Sequence, residues 1–456
     1  MPGLNSIMDS GLSALFAAQA GLATTGHNIS NANTRGYNRQ LVQFSARRPA
    51  LTPYGAIGQG VEVQNIRRIQ DEYLVNNMRV QQSRLQDFAQ TDGTLYEIEA
   101  ILGSVDNDHL GNAMTKFFDS WNALAQPPIN TNLKANVISA AQTLVTDFHS
   151  INGSLDNLEK EIESSIQAEI SNLNGMLAAV GEMNKQIMGA EAGGGMANDM
   201  RDQRDQLITE ISKIADVSTL ERDDGSIDLI LAGRTMVARD QVTELATDYR
   251  KTDHGYELLV VTGSNKAEVR LSPGRLQGLM NSRDVQVNDV REGLNKVAAQ
   301  VIEEVNSLHT QGRTNASSGL AFFTGTDMHT IEINNALLND NDLVATGRTS
   351  DLGDNTLALE LANLAAMSAF GEDEKTIGDN YRTLLVGVAS DRSSFQFMVE
   401  NQANVVASLE TRIASVSGVS LDEEGANMVR YQNSYNAAAR IISTVQQMYD
   451  TLLNMV

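Results

Sequence analysis

Several residue types are absent or scarce in this chain of 456 residues, and each shortage excludes a class of protein. There is no cysteine, which excludes a disulfide framework, thiol catalysis and cysteine-based zinc sites. The missing cysteines also suit a protein that is exported in an unfolded state. Proline occurs six times, and aromatic residues make up 5% of the chain with Trp121 as the single tryptophan. A chain so poor in proline is free to form long helices.

Positive charge is also scarce, above all near the N-terminus. The chain has 34 Lys and Arg against 57 Asp and Glu, and its net charge of −23 opposes binding to nucleic acid or to anionic membrane surfaces. No Lys or Arg precedes Arg35. Although Ala18 and Ala20 resemble a cleavage site, the positive segment of a secretory signal is missing, so we expect no cleaved signal peptide. No apolar run approaches the roughly 20 residues that span a bilayer.

The polar residues form no recognisable active site. The six histidines show none of the paired spacings of histidine-rich metal sites. The glycines of GAIGQG at 55–60 are in the wrong order for a dinucleotide-binding loop, and the acidic stretches at 106–111 and 339–347 lack the ligand spacing of an EF-hand. Asp202 and Asp205 alternate with arginines, and we interpret them as ion pairs on a helix surface; the alternative is a general acid and base. We predict no enzyme activity, no cofactor and no metal site.

Both ends of the chain are predicted to form amphipathic helices with an unusual polar face. Apolar residues repeat at coiled-coil spacing, but the opposite face is nearly uncharged, and Asp9 is the only formal charge in the first 34 residues. In a homopolymer a buried charge would face copies of itself, so uncharged faces favour a polymer core. The alternative is that the two ends pair with each other in one monomer. The predicted assembly interface comprises Leu4, Met8, Leu15, Leu22, Ile29, Met428, Tyr435, Ile441, Ile442, Val445, Met448 and Leu452. Ser420 and Glu423 form a capping-box pattern at the start of the last helix.

Between the two ends, periodicity predicts long helices and a small β insert. Apolar spacing predicts helices over 70–102, about 135–188, 287–308 and 381–409, with glycines as candidate interruptions of the second. Alternating residues over 216–271 predict strands. The expected fold is mainly α with a small β insert: an elongated multi-domain rod with a terminal-helix coiled coil, a long-helix bundle and a small antiparallel β domain. The predicted domains are a coiled-coil core (1–40 and 415–456), a helical bundle with irregular loops (41–205 and 273–414) and a β-rich outer domain (206–272).

The stretch NISNANTRGY at 28–37 resembles the motif near the N-terminus of bacterial flagellar axial proteins, which are the rod, hook and hook-associated subunits. Its motif residues are Asn28, Ser30, Asn31, Asn33, Thr34, Gly36 and Tyr37. Ser30, where rod and hook relatives usually have Ala, makes the chain look most like the hook-associated branch at the hook–filament junction. Further matches follow in order at 58–74, 197–207, 274–280, 306–313 and 417–442. The Asn and Gly residues predict a helix end followed by a tight turn, which we expect to be an intersubunit contact.

The resemblance implies a structural subunit of the extracellular flagellum, without membrane insertion or nucleic acid. Its implied partners are further copies of itself, the hook protein, a second junction protein, a cytoplasmic chaperone that binds near the C-terminus, and the type III export apparatus. The terminal helices of such subunits are expected to order on assembly. The chain departs from many members in one respect, because residues 321–325 lead almost directly into 331–340 and leave no room for an outermost domain.

Three alternatives remain open from the residues alone. The chain could be another axial subunit, of rod or hook type, or a secreted enzyme carried on an axial scaffold. A cytoplasmic coiled-coil adaptor would explain the heptad spacing, but it would have helix faces rich in Lys and Glu.

Overall fold

A computed structural model describes residues 4–52, 55–103, 109–252, 255–314, 319–349, 351–365 and 376–454. The helices are α1 Leu4–Ser30, α2 Glu72–Leu102, α3 His109–Ala125, α4 Thr131–Glu191, α5 Asn198–Ile214, α6 Arg275–Asn281, α7 Asn288–His309, α8 Asn335–Asn339, α9 Thr356–Asn363, α10 Ile377–Ser417 and α11 Leu421–Leu453. The strands are β1 Gln40–Ala46, β2 Ala50–Thr52, β3 Gly55–Ile57, β4 Val61–Arg68, β5 Val217–Glu221, β6 Ile227–Leu231, β7 Arg234–Ala238, β8 Gln241–Val242, β9 Leu245–Thr252, β10 Gly255–Thr262, β11 Phe323–Thr324 and β12 Glu332–Ile333.

This architecture confirms the predicted fold class, which is mainly α with small antiparallel sheets. Among the residues that the structure describes, no helix combines the length and the apolar character needed to cross a bilayer. Residues 106–108 of the acidic stretch considered above lie outside the described ranges.

The chain divides into two compact units, each built from discontinuous segments. Unit 1 comprises Met1–Leu85, Glu169–Gly274 and Asn401–Val456, and unit 2 comprises Gln86–Ala168 and Arg275–Glu400. These boundaries differ from the three-domain division expected from the sequence. The three-domain division stays a prediction.

Helix α4 is a single helix of 61 residues. Gly153, Gly175 and Gly181, the candidate interruptions, all lie inside it. Leu144, Phe148 and other apolar residues at helical spacing along it are fully buried. Their burial outweighs the helix propensity lost at each glycine, about 1 kcal/mol relative to alanine.

The β insert lies in unit 1, where the alternating pattern predicted strands. Strands β5 to β8 form an antiparallel sheet in chain order, and β9 pairs with β10 in a hairpin. Two asparagines of α4 bind the edges of these strands. The amide of Asn184 donates to the carbonyl of Ile227 at 2.8 Å, and Asn174 exchanges two hydrogen bonds of 2.8 Å with the backbone of Leu245. Side-chain amides therefore join the insert to the helix.

Strands β1 and β4 were not predicted, because their residues were assigned to irregular loops of a helical bundle. They pair antiparallel, with Gln40 opposite Arg68 and a bulge between Gln43 and Phe44. Strands β2 and β3 extend from them as a second short antiparallel pair. Their residues alternate too irregularly to stand out as strands in the sequence.

The two terminal helices pack against each other through small residues of α1. Gly11, Ala17, Ala18 and Gly21 are buried, whereas the heptad residues of α1 are only half-buried. A Cβ atom at Gly21 would lie 2.7 Å from the ring of Tyr431, closer than real contacts allow, so the helices approach through glycine. The ends of the chain thus pair within the monomer, which the sequence left open, and assembly into a polymer core stays a prediction.

An aromatic cluster forms part of the core of unit 2, around the matched stretch 306–313. His309 is 1% exposed and contacts the rings of Trp121 and Phe322. Its Nε2 accepts a hydrogen bond from the backbone N–H of Ala345 at 3.2 Å, so Nδ1 carries the proton and donates to the carbonyl of Leu320 at 2.7 Å. Burial lowers the pKa of His309 from 6.5 to about 4. This histidine is therefore a neutral core residue.

The segment from 321 to 340 contains a short hairpin. Strand β11 pairs with β12 in a short antiparallel hairpin, with Phe323 opposite Ile333. Residues 321–325 and 331–340 are thus joined through this hairpin.

We predict that unit 2 loses stability in acid because of His309. Between pH 6.5 and 4 the unfolded chain binds a proton at this histidine that the folded chain does not, so the free energy of unfolding falls as the pH falls, by about 3 kcal/mol in total. Urea unfolding of His309→Gln across this range should show a weaker pH dependence than the unsubstituted protein. The exposed His149→Gln is the control and should keep the full decline; equal slopes for all three proteins would contradict the prediction.

Candidate functional site

The motif residues 28–37 form the end of α1 and a tight turn. Helix α1 ends at Ser30, and backbone hydrogen bonds from Thr34 to Asn31 (2.9 Å) and from Tyr37 to Thr34 (3.2 Å) close the turn. Gly36 has φ of 76°, in the left-handed region that favours glycine, and it lies against the side chain of Gln206. A side chain at this position would be strained and would also lack space.

Asn28 is the centre of the site, because its amide uses all four of its hydrogen-bonding positions. The side chain is 1% exposed. Its Nδ2 donates to the carbonyl of Gln40 at 2.9 Å and to Oε2 of Glu424 at 3.1 Å. Its Oδ1 accepts from the hydroxyl of Tyr37 at 2.7 Å and from the N–H of Gln40 at 2.9 Å. One amide therefore joins the end of α1, the turn, strand β1 and helix α11.

Burial raises the pKa of Tyr37, and the nearby carboxylates of Asp199, Asp202 and Glu424 raise it further. The phenol therefore stays protonated and remains the donor in its bond to Asn28.

Glu424 is a buried carboxylate whose charge is compensated by donors of the motif region. It is 2% exposed and accepts from Arg39 Nε at 2.7 Å in addition to Asn28. Arg39 also pairs with Glu423 at 2.6 Å, and its backbone N–H donates to the carbonyl of Ser417 at 2.9 Å. Charge-assisted bonds of this kind offset the desolvation of a buried charge.

The start of α11 shows one half of the expected capping box. Ser420 is the N-cap residue, and its hydroxyl accepts from the N–H of Glu423 at 3.5 Å. The carboxylate of Glu423 binds Arg39 instead of turning back to the N-cap. The glutamate therefore contributes to the contact between β1 and α11.

Helix α5 supplies a second group of carboxylates to the same region. Asp202 accepts from the N–H and the amide of Asn38 at 3.0 and 2.7 Å. Arg68 of β4 lies 2.7 Å from Asp202 and 2.8 Å from Asp205. Burial opposes the ionisation of Asp205, but Arg68 and Arg79 outweigh it, and its pKa is lowered.

These contacts correct the interpretation of Asp202 and Asp205 as surface ion pairs with neighbouring arginines. Asp202 is 4% exposed, and Arg68 is not on its helix. Arg201 pairs with Glu191 and Glu221 instead, and the buried Arg204 donates to Asn184 and to the carbonyl of Gly225. Consecutive residues of a helix point in different directions, so alternating charges bind groups on different sides.

We call this set of contacts the motif joint; it consists of Asn28, Tyr37, Asn38, Arg39, Gln40, Arg68, Asp202, Asp205, Glu423 and Glu424. His27, at its border, is half-exposed and lies 3.2 Å from Asp199. In the described part of the chain, no group of three or more His, Asp and Glu is arranged to hold a metal ion. The geometry is that of a structural joint.

The structure brings only some of the motif residues into the joint. Asn28 and Tyr37 belong to it, and Asn31 is half-buried and donates to the carbonyl of His27 at 3.0 Å. Ser30, Asn33, Thr34 and Gly36 are exposed. Sequence reasoning missed the roles of Gln40, Arg68 and Glu424. The last two lie in the matched stretches 58–74 and 417–442, and the only available signal was that those stretches match the same family.

The residues of the predicted assembly interface differ widely in exposure. Ile441, Met448 and Leu452 are 43%, 47% and 51% exposed, and Val445 is buried. The half-buried members are Leu4, Met8, Leu15, Leu22, Ile29, Met428, Tyr435 and Ile442. The predicted interface follows one heptad line along α1 and does not include Ile7, Leu12 and Phe16, which are exposed on the same helix; of these three, the sequence pattern pointed only to Leu12, beside the heptad line.

We predict that Asn28→Asp destabilises the protein by about 3 kcal/mol. The substitution keeps the shape of the side chain but removes the donor to Gln40 and Glu424 and places a second carboxylate beside Glu424. Asn33→Asp makes the same chemical change in the exposed turn and should stay within about 0.5 kcal/mol of the unsubstituted protein. Urea unfolding measures both, and equal midpoints for the two variants would refute the central role of Asn28.

Comparison with known proteins places these features in a family. The family described as "Flagellar hook-associated protein FlgK helical domain" matches residues 95–323, half of the chain. "Flagella basal body rod protein" matches 8–38 and "Flagellar basal body rod FlgEFG protein C-terminal" matches 413–455. The first of these two matches contains the motif and most of α1, and the second contains all of α11.

Individual relatives agree with these family matches. Flagellar hook-associated protein 1 of Bacillus subtilis is 26% identical over 97% of this chain and 96% of its own length. The protein of the same name from Salmonella typhimurium is 25% identical over 99% of this chain and 100% of its own length. The solved structure of the flagellar hook junction protein FlgK from Burkholderia pseudomallei covers 75% of this chain and 100% of the solved chain. Its TM-score of 0.68 at 12% identity shows a shared fold. Because the helical-domain match covers half of its length, the chain belongs to the FlgK family of flagellar hook-associated proteins.

Proposed function

We propose that this chain is a structural subunit of the bacterial flagellum, without enzyme activity, that assembles with further copies of itself at the hook–filament junction. In this role it connects the hook to the filament. Relatives named flagellar hook-associated protein 1 support the flagellar role. The observation that carries the assembly is the apolar surface of the two terminal helices.

The terminal apolar surface consists of Ile7, Leu12 and Phe16 of α1 and Ile441, Met448 and Leu452 of α11. Every one of these side chains is more than one-third exposed in the single chain, and Phe16 is 61% exposed. Exposed apolar surface of this kind usually marks an interaction site. The helices that carry it have few formal charges. Copies of the same surface can therefore meet without repulsion between like charges.

The positions of these residues show which side of α1 is left for other copies. Ile7 lies four residues before Gly11, on the side of α1 that faces α11. Phe16 is nine residues from Ile7, about 2.5 helical turns, so it lies on the opposite side. A neighbouring copy packed against this outer side, as in a tubular core, would cover Phe16.

The same proposal includes the finer expectations from the resemblance. The coiled-coil core of 1–40 and 415–456 would be innermost, the helical bundle next, and the β-rich domain of 206–272 outermost. The hook protein and the second junction protein would be the axial neighbours. A cytoplasmic chaperone would hold the region near the C-terminus, where Val429 and Leu453 are exposed, before type III export without signal cleavage.

We predict that Phe16→Glu abolishes incorporation but leaves the subunit folded. Position 16 is exposed in the single chain, so its stability should change by less than about 0.5 kcal/mol, whereas assembly would bury the new charge against neighbouring copies. Cells with this variant should make hooks, shed filament protein into the medium and lose motility. Leu352→Glu, at a position that is 67% exposed in unit 2, is the control and should assemble normally.

Immunogold labelling of the flagella gives the readout. The unsubstituted protein should form a band at the hook–filament boundary, and Phe16→Glu should form none. A band of equal strength for Phe16→Glu would contradict the proposal that the terminal apolar surface mediates assembly. Gold label on the rod, or along the whole filament, would contradict the proposed location at the hook–filament junction.

A further inference from the structure

A second feature of unit 1 points to a contact between copies that does not involve the terminal helices. We propose that the hairpin β2–β3 of one copy inserts Leu51 into a groove beside the motif joint of the next copy. The inference rests on the proposed self-assembly and adds a specific pair of surfaces to it.

The hairpin carries an exposed apolar side chain next to positive charge. Leu51 in β2 is 90% exposed. Arg47 and Arg48 precede it, and both are exposed. Residues 46–61 contain these two arginines and no Asp or Glu, although the whole chain has a net charge of −23. The hairpin is thus a basic segment with an apolar residue, in a strongly acidic protein.

The groove has complementary properties. Its volume is about 400 Å³, and it is lined by segments of unit 1 alone. Apolar side chains from two helices line it, namely Val75, Met78, Ile413 and Ala414. A single leucine side chain has the size and polarity to enter such a groove.

Three carboxylates and two arginines line the groove. Arg79 and Asp205 line it and pair with each other at 3.4 Å. Glu210, Glu410 and Arg35 are the exposed charged residues of its lining. Lys213 pairs with Glu210 at 2.8 Å along the helix. Glu410 is therefore the carboxylate best placed to meet Arg47 and Arg48 of an incoming hairpin.

The proposed occupant is another copy of the chain. Leu51 is almost fully exposed, so the groove of its own chain does not hold it. The hairpin and the groove are different surfaces of one molecule, and contacts between unlike surfaces are heterologous, which generates rings or helical arrays. That is the geometry required of subunits arranged around an axis.

Disulfide cross-linking tests this contact cleanly, because the chain has no cysteine of its own. Leu51→Cys and Ala414→Cys are produced as two separate single-cysteine chains, both at exposed positions, and expressed together in cells that lack the original chain. Flagella are isolated, oxidised and analysed by non-reducing electrophoresis. We expect a dimer band that contains both variants and disappears on reduction.

The controls separate this contact from the proposed function. Each variant expressed alone, and Leu51→Cys expressed with Leu352→Cys, should give no such dimer. If Leu51→Cys and Ala414→Cys both enter the flagellum and remain monomeric, the hairpin contact is refuted and the junction role stands. If the unsubstituted chain is itself absent from isolated flagella, the proposed function fails and the hairpin contact fails with it.

Discussion

The amide of Asn28 is buried where four segments of unit 1 meet, and it can stay there only because each of its donors and lone pairs has a partner. A buried amide that loses a partner keeps the desolvation cost of the unpaired group. The four bonds reach the turn, the backbone of β1 and the carboxylate of α11. Any shift of α1 against α11 would break at least one of them. The joint therefore specifies how the paired terminal helices meet the rest of unit 1.

The contact between those helices depends on close packing. Glycines on α1 let α11 approach, and the ring of Tyr431 occupies the space that a side chain at position 21 would need. Larger apolar side chains such as Phe16 are consequently displaced to the outside of the pair. A helix pair that is closed by small residues and exposes large ones is suited to contacts with further helices.

Local patterns predicted most of the long helices, although not α3, and predicted the joint poorly. The spacing that predicted a helix over about 135–188 corresponds to α4, since periodic burial is a property of neighbouring residues. Strands β1 and β4 were missed because their residues alternate irregularly and each strand gains its stability from the other. The partners of Asp202 could not be derived either: Asn38 is 164 positions away, and Asn28 and Glu424 are 396 apart. The family resemblance identified the segments involved without pairing their residues.

If neighbouring copies cover the exposed apolar residues of the terminal helices, position 16 is accessible in the free subunit and shielded in the assembled flagellum. The chain has no cysteine, so Phe16→Cys provides a single thiol for a maleimide probe. We expect rapid labelling of this thiol in the free subunit and protection from labelling in isolated flagella that contain the variant. Equal labelling rates in the free and the assembled protein would contradict it.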